Sequence, residues 1–136
     1  VLVATSRVVP LLAQAGVRLD ALVGSTADPG EIYNPGDIDP PPRLVVKTSG
    51  ADGGTYQVEG AEPRSYPAAT LNGPIADTYG AGDSFAAGLT FALGAGYPVE
   101  EAIGLATRCG AAVITGRGPY RGQLLAKDLN QKPLNL

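Results

Sequence analysis

The stretch Asp77-Thr78-Tyr79-Gly80-Ala81-Gly82-Asp83-Ser84-Phe85 decides the fold of this chain, because it predicts a loop that turns into a helix. After it, apolar residues recur at helical spacing: Phe85, Leu89, Ala92 and Leu93. This pattern predicts a helix that begins near Gly82. Its first turn has unpaired N–H groups and the positive end of the helix dipole, and glycine lets a ligand approach the backbone closely. A phosphate group suits this environment, and Asp83 beside it is a candidate general base.

The same nine residues resemble the D-T-x-G-A-G-D-x-F motif of ribokinase-like kinases, the phosphofructokinase B class of carbohydrate kinases. The resemblance implies that Asp83 takes the proton from an acceptor hydroxyl. It also implies that the backbone amides of Gly80, Ala81, Gly82 and Asp83 form an anion hole around the migrating phosphate. The alternative is a glycine-rich helix N-terminus with an acidic cap, which is common in α/β proteins.

The composition narrows the class of protein. The 136 residues suggest one domain, 44% of them are hydrophobic, and the net charge is −3. Scattered Lys and Arg residues argue against nucleic acid as a partner, and no apolar run approaches the roughly 20 residues that span a bilayer. The absence of histidine excludes a Ser-His-Asp triad, and no G-x-x-x-x-G-K is present. The single cysteine, Cys109, excludes an internal disulfide and fits a cytoplasmic location.

The hydrophobic pattern predicts an open α/β sheet. Strands are expected at residues 1–5 and 19–23, with a short helix between them, so the pair should be joined by a parallel crossover. A long loop covers residues 25–42. Strands at 44–47 and 55–58 are expected to pair antiparallel, residues 63–75 to be irregular, and two helices to occupy residues 82–93 and 99–115. The tail at 120–136 is polar and is expected to be partly frayed.

The resemblance covers residues 1–119, which correspond to the nucleotide-binding and catalytic half of the family fold. The expected fold is therefore a ribokinase-like three-layer α/β/α sandwich with a mostly parallel sheet, present as its C-terminal portion. The chain contains no methionine and opens on an apolar strand, so we interpret it as the later part of a longer protein. The missing N-terminal half would contact the sugar substrate. A homodimer is possible by analogy with the family.

A candidate metal site lies in the long loop, at Asp28-Pro29-Gly30-Glu31. Ligands of open parallel sheets collect beyond the carboxyl ends of strands, and two acids there could organise a hydrated Mg²⁺. The family has N-x-x-E at this place, linked to the metal through water. Asp28 replaces the Asn, which leaves Glu31 as the firmer assignment. The alternative is an Asp-Pro-Gly turn with a solvated Glu31.

Arg7 follows the first strand. The resemblance implies a position near the phosphates, because some relatives have an arginine there. The alternative is a solvated arginine at the start of a helix.

Three further groups of residues are candidates for nucleotide or cation binding through the resemblance. Thr48-x-Gly50-x-x-Gly53 is similar to the family's T-x-G-x-x-G turn beside the phosphates and ribose, although an ordinary hairpin explains it too. Thr107 and Gly110 lie on the helix that lines the adenine pocket, where close helix packing is the alternative. Asp77 corresponds to a monovalent-cation site, such as K⁺, in some members and to a brace of the loop in others.

The leading hypothesis is an ATP-dependent kinase that phosphorylates a hydroxyl of a sugar or sugar-like molecule, with Mg²⁺ on the nucleotide. The alternative is a nucleotide-binding or assembly module without activity of its own. A dinucleotide-dependent oxidoreductase requires G-x-G-x-x-G after the first strand, and residues 1–16 contain no such motif.

Overall fold

The computed structural model describes residues 1–129, which form a five-stranded sheet covered by helices. The strands lie in the sheet in the order in which they occur in the chain. They are β1 (Val3–Thr5), β2 (Ala21–Ser25), β3 (Leu44–Thr48), β4 (Gly54–Val58) and β5 (Arg64–Tyr66). The helices are α1 (Val9–Ala15), α2 (Ala81–Gly94), α3 (Val99–Val113) and α4 (Ala126–Leu129).

The parallel crossover predicted at the start of the chain is present. β1 pairs with β2 in parallel, and β2 pairs with β3 in parallel. α1 connects β1 to β2 and ends at Gly16, whose φ of 60° is the left-handed conformation that glycine adopts at helix C-termini. The carboxyl ends of β1, β2 and β3 therefore lie at one edge of the sheet.

The other half of the sheet is antiparallel, so the sheet as a whole is mixed. β3 and β4 form the expected hairpin, and β4 pairs antiparallel with β5. The prediction of an irregular segment at residues 63–75 was wrong for β5. This strand is only three residues long, and tertiary contacts hold it: the buried Tyr66 ring lies 6.1 Å from that of Phe85, and Arg64 pairs with Glu100 at 2.5 Å.

Two apolar clusters on opposite faces give the sheet its three layers. On one face, α2 and α3 pack against alternate strand residues: Ala21, Val23, Leu44 and Val46. On the other face, Leu22 packs with Val9 of α1 and with Tyr33 and Ile38 of the long loop. The long loop therefore completes the core as well as carrying the candidate metal residues.

Close contact between α2 and α3 fixes the position of the motif. A Cβ on Gly88 would lie 2.8 Å from Cys109 Sγ, and one on Gly110 would lie 3.2 Å from the carbonyl oxygen of Ala81. Gly94, at the C-terminal end of α2, lies next to Val1, since a Cβ there would be 3.9 Å from the Val1 side chain. α2 therefore runs antiparallel to β1, and its N-terminus points to the edge where the parallel strands end.

The tail contains a little more order than expected. Residues 120–122 are turn, and α4 begins at Ala126. The Arg108 guanidinium on α3 donates to the Asp128 carbonyl oxygen at 3.1 Å, which connects α4 to the helical layer. The predicted fraying of residues 130–136 lies outside the described residues.

Gly53 offers a test of the hairpin geometry. It has a φ of 79°, and a Cβ there would lie 2.1 Å from the Tyr66 carbonyl oxygen, whereas Gly36, with a φ of 99°, has open space around it. Gly36→Ala should cost about 1–2 kcal/mol of unfolding free energy from the backbone conformation alone. Gly53→Ala adds a clash with the backbone and should cost more than about 3 kcal/mol. Urea unfolding measures both, and equal losses would contradict the packing described.

Candidate active site

The first turn of α2 exposes backbone N–H groups. Gly80 caps the helix with a φ of 85°, and its carbonyl oxygen accepts from the Ser84 amide at 2.9 Å. Within residues 1–129, the amides of Gly80, Gly82 and Asp83 have no hydrogen-bond acceptor. The Ala81 amide donates to the Thr78 carbonyl oxygen at 3.4 Å. Three of the four amides predicted to form the anion hole are thus available to an anion, and the fourth is engaged by a long hydrogen bond.

Gly80 and Gly82 have different structural roles. A Cβ on Gly80 would lie 2.8 Å from Pro119 Cβ, and its positive φ also disfavours a side chain, so the turn itself requires glycine. A Cβ on Gly82 would meet nothing within 4 Å. Gly82 is therefore not needed for packing, and the space around it is open.

Asp83 projects into a cleft at this turn. Its side chain is exposed and makes no hydrogen bond or ion pair with residues 1–129. The cleft has a volume of about 340 Å³ and is also lined by Ser84, Pro119 and two exposed tyrosines, Tyr79 and Tyr120. A carboxylate without an internal partner, beside unpaired N–H groups, can accept a proton from a bound hydroxyl while the amides hold an anion.

Asp77 braces the loop that leads into α2. Its two carboxylate oxygens accept from the amides of Tyr79 and Gly118, each at 3.0 Å. The hydrogen bond from Tyr79 has the larger effect, and together with that from Gly118 it holds the pKa of Asp77 below its usual value. The positive charge of Arg117 lowers this pKa further. The contacts join the motif loop to the turn after α3 and support the bracing role. The monovalent-cation assignment stays a prediction.

Asp28 and Glu31 lie beyond the carboxyl end of β2, and both contact Arg7, which follows β1. Arg7 Nη2 donates to Asp28 Oδ2 and, at 3.2 Å, to Glu31 Oε1. The other oxygens accept from backbone amides, Glu31 Oε2 from Ser25 at 2.8 Å and Asp28 Oδ1 from Gly30 at 2.8 Å. The Gly30 amide, with Arg7, lowers the pKa of Asp28, although burial opposes the shift.

These hydrogen bonds and ion pairs bear on the two alternatives stated for this loop, a solvated Glu31 and a solvated Arg7. Asp28 does form an Asx-type turn with Gly30, but the Glu31 side chain is only 17% exposed and is fixed in place rather than solvated. Arg7 is an ion-pair partner rather than a free surface residue. Residues 1–129 contain no group of three His, Cys, Asp or Glu side chains that could hold a metal directly. Two carboxylates with hard oxygen donors fit a hydrated Mg²⁺ held through water.

The turn after β3 is tied to the turn after β2. The Thr26 amide and hydroxyl donate to the Thr48 carbonyl oxygen at 2.9 and 3.2 Å. Gly50 is exposed, with a φ of 57° and open space around it, whereas Gly53 is buried under β5. Gly53 is thus required by the hairpin itself. Thr48 and Gly50 lie at the same sheet edge as Asp28, and their contact with nucleotide stays a prediction.

Thr107 and Gly110 lie in different surroundings on α3. Thr107 lines a second cleft of about 340 Å³ with Ile103, Gly104 and the rings of Tyr56 and Tyr66. Gly110 faces the first turn of α2, which supports the packing role over direct contact with a base. Cys109 packs against the core as expected, and burial raises the pKa of its thiol.

The structure brings Gly80 and Asp83 together with residues that the sequence analysis did not single out. The Tyr79 side chain and Ser84 are not site candidates in the sequence analysis, although the resemblance places the Tyr79 backbone with Asp77 at a monovalent-cation site, and Tyr120 falls in the tail that is expected to be frayed. The signal that could have found Tyr120 is the Gly116-Arg117-Gly118-Pro119 turn, which returns the chain to the motif loop after α3.

Comparison with known proteins agrees with the motif. Residues 37–125 match the pfkB family of carbohydrate kinases. The chain belongs to this family. The resemblance based on Asp77–Phe85 is thereby confirmed.

The chain is similar to a curated phosphotransferase and to solved kinases. Over 74 residues the chain is 42% identical to acarbose 7(IV)-phosphotransferase from an Actinoplanes species, a match that covers 54% of this chain and 25% of that protein. It is similar in structure to aminoimidazole riboside kinase from Salmonella enterica, solved with aminoimidazole riboside and an ATP analogue (TM-score 0.70, 23% identity, 91% of this chain and 45% of that one). It is also similar to a protein described as a ribokinase II from E. coli, solved with ATP and Mg²⁺ (TM-score 0.63, 23% identity, 77% and 36%).

These comparisons confirm the ribokinase-like α/β fold. The matches cover a quarter of the curated relative and 36–45% of the two solved chains, so the fold seen here is a fragment of the full family fold. None of the helices formed by residues 1–129 combines the length and apolar character that a bilayer crossing requires.

The brace at Asp77 predicts a pH-dependent effect on stability. Asp77→Asn should lower the urea midpoint at pH 7, because an amide can accept from only one of the two N–H groups and turns its own donor to the other. The folded-state pKa of Asp77 lies below the usual 3.8, so its stabilising contribution is complete above that pH and is lost as the pH falls through the lowered folded value. The gap between wild type and variant should therefore stay constant from neutral pH to about pH 5 and narrow as the pH falls below about 4. A constant gap down to full protonation would contradict the brace.

Proposed function

We propose that this chain provides the catalytic and nucleotide-binding part of an ATP-dependent kinase that phosphorylates a hydroxyl of a sugar or sugar-like molecule. Membership of the pfkB carbohydrate kinases supports the reaction class. One observation carries the assignment of residues: the exposed Asp83 carboxylate lies at the same helix turn as the amides of Gly80, Gly82 and Asp83, which have no acceptor within residues 1–129. A general base and an anion hole are the two elements that phosphoryl transfer to a hydroxyl requires.

In the proposed mechanism, Asp83 accepts the proton of the acceptor hydroxyl while the hydroxyl oxygen attacks the γ-phosphorus of ATP. The amides at the helix N-terminus stabilise the negative charge on the equatorial phosphate oxygens as the bond to the ADP oxygen breaks. Because these donors are fixed by the helix and by the Asp77 brace, they need no reorganisation during the reaction. Asp28 and Glu31 would hold a hydrated Mg²⁺, which neutralises charge on the nucleotide phosphates.

The nucleotide is proposed to lie along the edge where the parallel strands end. Thr48 and Gly50 are at this edge, and Thr107 lines the cleft between α3 and the β4–β5 hairpin. Ile103 and Gly104 of α3 line the same cleft, and its mostly apolar lining suits a base. The acceptor would occupy the Asp83 cleft. Its candidates are the compounds named with the relatives described above: acarbose and aminoimidazole riboside.

The alternative, a nucleotide-binding module without activity of its own, is favoured by one observation. The chain covers less than half the length of the solved kinases that it resembles. Isothermal titration of ATP and an ADP-release assay with the acceptor panel distinguish the two. Binding of ATP without turnover by the complete protein on any acceptor would favour the module.

Replacing the base separates chemistry from binding. Asp83→Asn in the complete protein should lower kcat by on the order of 10² to 10⁴ while the Kd for ATP changes by less than about twofold, because the side chain acts on the acceptor. Glu62→Gln, a change of the same charge at an exposed site, is the control and should behave as wild type. An Asp83→Asn enzyme with kcat near that of wild type would refute the assignment.

Gly82 tests the anion hole without disturbing the fold. Gly82→Ala adds a methyl group in open space at the first turn of α2, where the phosphate is proposed to bind, so kcat/KM should fall by on the order of 10²-fold, while thermal stability stays equal or rises with the better helix propensity. Gly94→Ala, at the other end of α2, is the matched control, since its Cβ would make only an ordinary contact with Val1. Equal kinetics in the two variants would remove the anion hole from the mechanism.

A further inference from the structure

Arg7 is the only side chain within residues 1–129 that forms ion pairs with both candidate metal residues. It comes directly after β1, while Asp28 and Glu31 follow β2, and the parallel pairing of these strands brings all three to one edge of the sheet. One nitrogen, Nη2, donates to both carboxylates. A single guanidinium therefore sits between the two acids, in the position from which a cation would neutralise both.

The two carboxylates are held more firmly than the arginine. The second oxygen of each accepts from a backbone amide, that of Ser25 for Glu31 and that of Gly30 for Asp28. The Glu31 side chain is 17% exposed, whereas the Arg7 side chain is 62% exposed. Arg7 also has a long side chain with many rotamers. If one partner leaves this cluster, it is Arg7, because the acids stay fixed to the backbone without it.

The charges favour an exchange of cations. With Arg7 in place, the three side chains carry a net charge of −1, from two carboxylates and one guanidinium. With Arg7 withdrawn, the carboxylates present a charge of −2 to a hydrated divalent ion. A divalent cation and a guanidinium that both contact the same two carboxylates lie close enough to repel each other. Binding of both at once therefore costs electrostatic free energy.

We propose that Arg7 is the resident counter-cation of the Asp28–Glu31 pair and that hydrated Mg²⁺ binds there by displacing its guanidinium. This inference rests on the Mg²⁺ site of the proposed function. Arg7 is thus a positioning residue that holds the acids in place before the metal arrives and sets the metal concentration at which they are occupied. Asp28 contributes to this exchange of cations, because with an Asn at this position Arg7 would pair with a single carboxylate, that of Glu31.

Calorimetric titration of the complete protein with Mg²⁺ alone, at low ionic strength and without nucleotide, tests the exchange. Removing one positive charge a few Å from a divalent ion should tighten its binding, so Arg7→Gln should lower the Kd for Mg²⁺ by on the order of tenfold. Arg7→Lys keeps the charge and should stay within about twofold of wild type. Adding salt should shrink the difference between Arg7→Gln and wild type.

Matched variants separate the local exchange from a general effect of charge. Arg18→Gln removes the same charge from another exposed ion pair, that with Glu59, and should leave the Mg²⁺ affinity unchanged. Glu31→Gln combined with Arg7→Gln should abolish the gain in Mg²⁺ affinity that Arg7→Gln produces. A second measurement needs no substitution: the side-chain NMR signals of Arg7 in the wild type should shift on Mg²⁺ titration as its guanidinium leaves the carboxylates.

An unchanged or weaker Mg²⁺ affinity in Arg7→Gln, or Arg7 signals that do not respond to Mg²⁺, would overturn the proposal. Failure to detect Mg²⁺ binding in wild type and in Arg7→Gln would overturn it as well. These outcomes are independent of the kinase assignment, which stands or falls with the effect of Asp83→Asn on turnover.

Discussion

The contact between α2 and α3 is the constraint on which the site depends. Because Gly88 and Gly110 have no side chains, the backbones of α2 and α3 approach each other closely at these two positions. This packing fixes the direction of α2 and so aims its first turn at the edge where the parallel strands end. The Asp77 carboxylate then joins the loop before α2 to the turn after α3. These contacts hold the N–H groups of the first turn in fixed positions, which the proposed anion hole requires.

The edge of the sheet gathers groups of opposite charge from distant parts of the chain. Arg7 follows β1, Asp28 and Glu31 follow β2, and Thr48 ends β3. Hydrogen bonds between Thr26 and the end of β3 tie the loops to one another. Arg7 offsets part of the negative charge of Asp28 and Glu31, so the surface is not a bare acidic cluster. The proposed nucleotide and its metal ion would meet groups of both signs at this edge.

The sequence predicts most of the fold and the cleft residues Gly80 and Asp83 of the candidate site, since both are encoded locally. The Asp77–Phe85 motif, the helical spacing that follows it and the first crossover are all visible in short stretches. β5 could not be predicted, because three residues carry no periodicity and their order comes from β4, Phe85 and Glu100. The partners of Arg7 were also hidden, as they lie 21 and 24 residues away in the chain. The roles of Gly53 and Gly110 depend on what a side chain would strike, which only the folded packing reveals.

Each strand of the sheet pairs with the next one in sequence, which has a consequence for biosynthesis. β1 to β5 can associate in the order in which they leave the ribosome, because no strand waits for a distant partner. The face that carries Ala21, Val23, Leu44 and Val46 is different, since its cover consists of α2 and α3. That apolar surface stays open until residue 113 has been translated, and this interval is when a nascent chain is most exposed to aggregation.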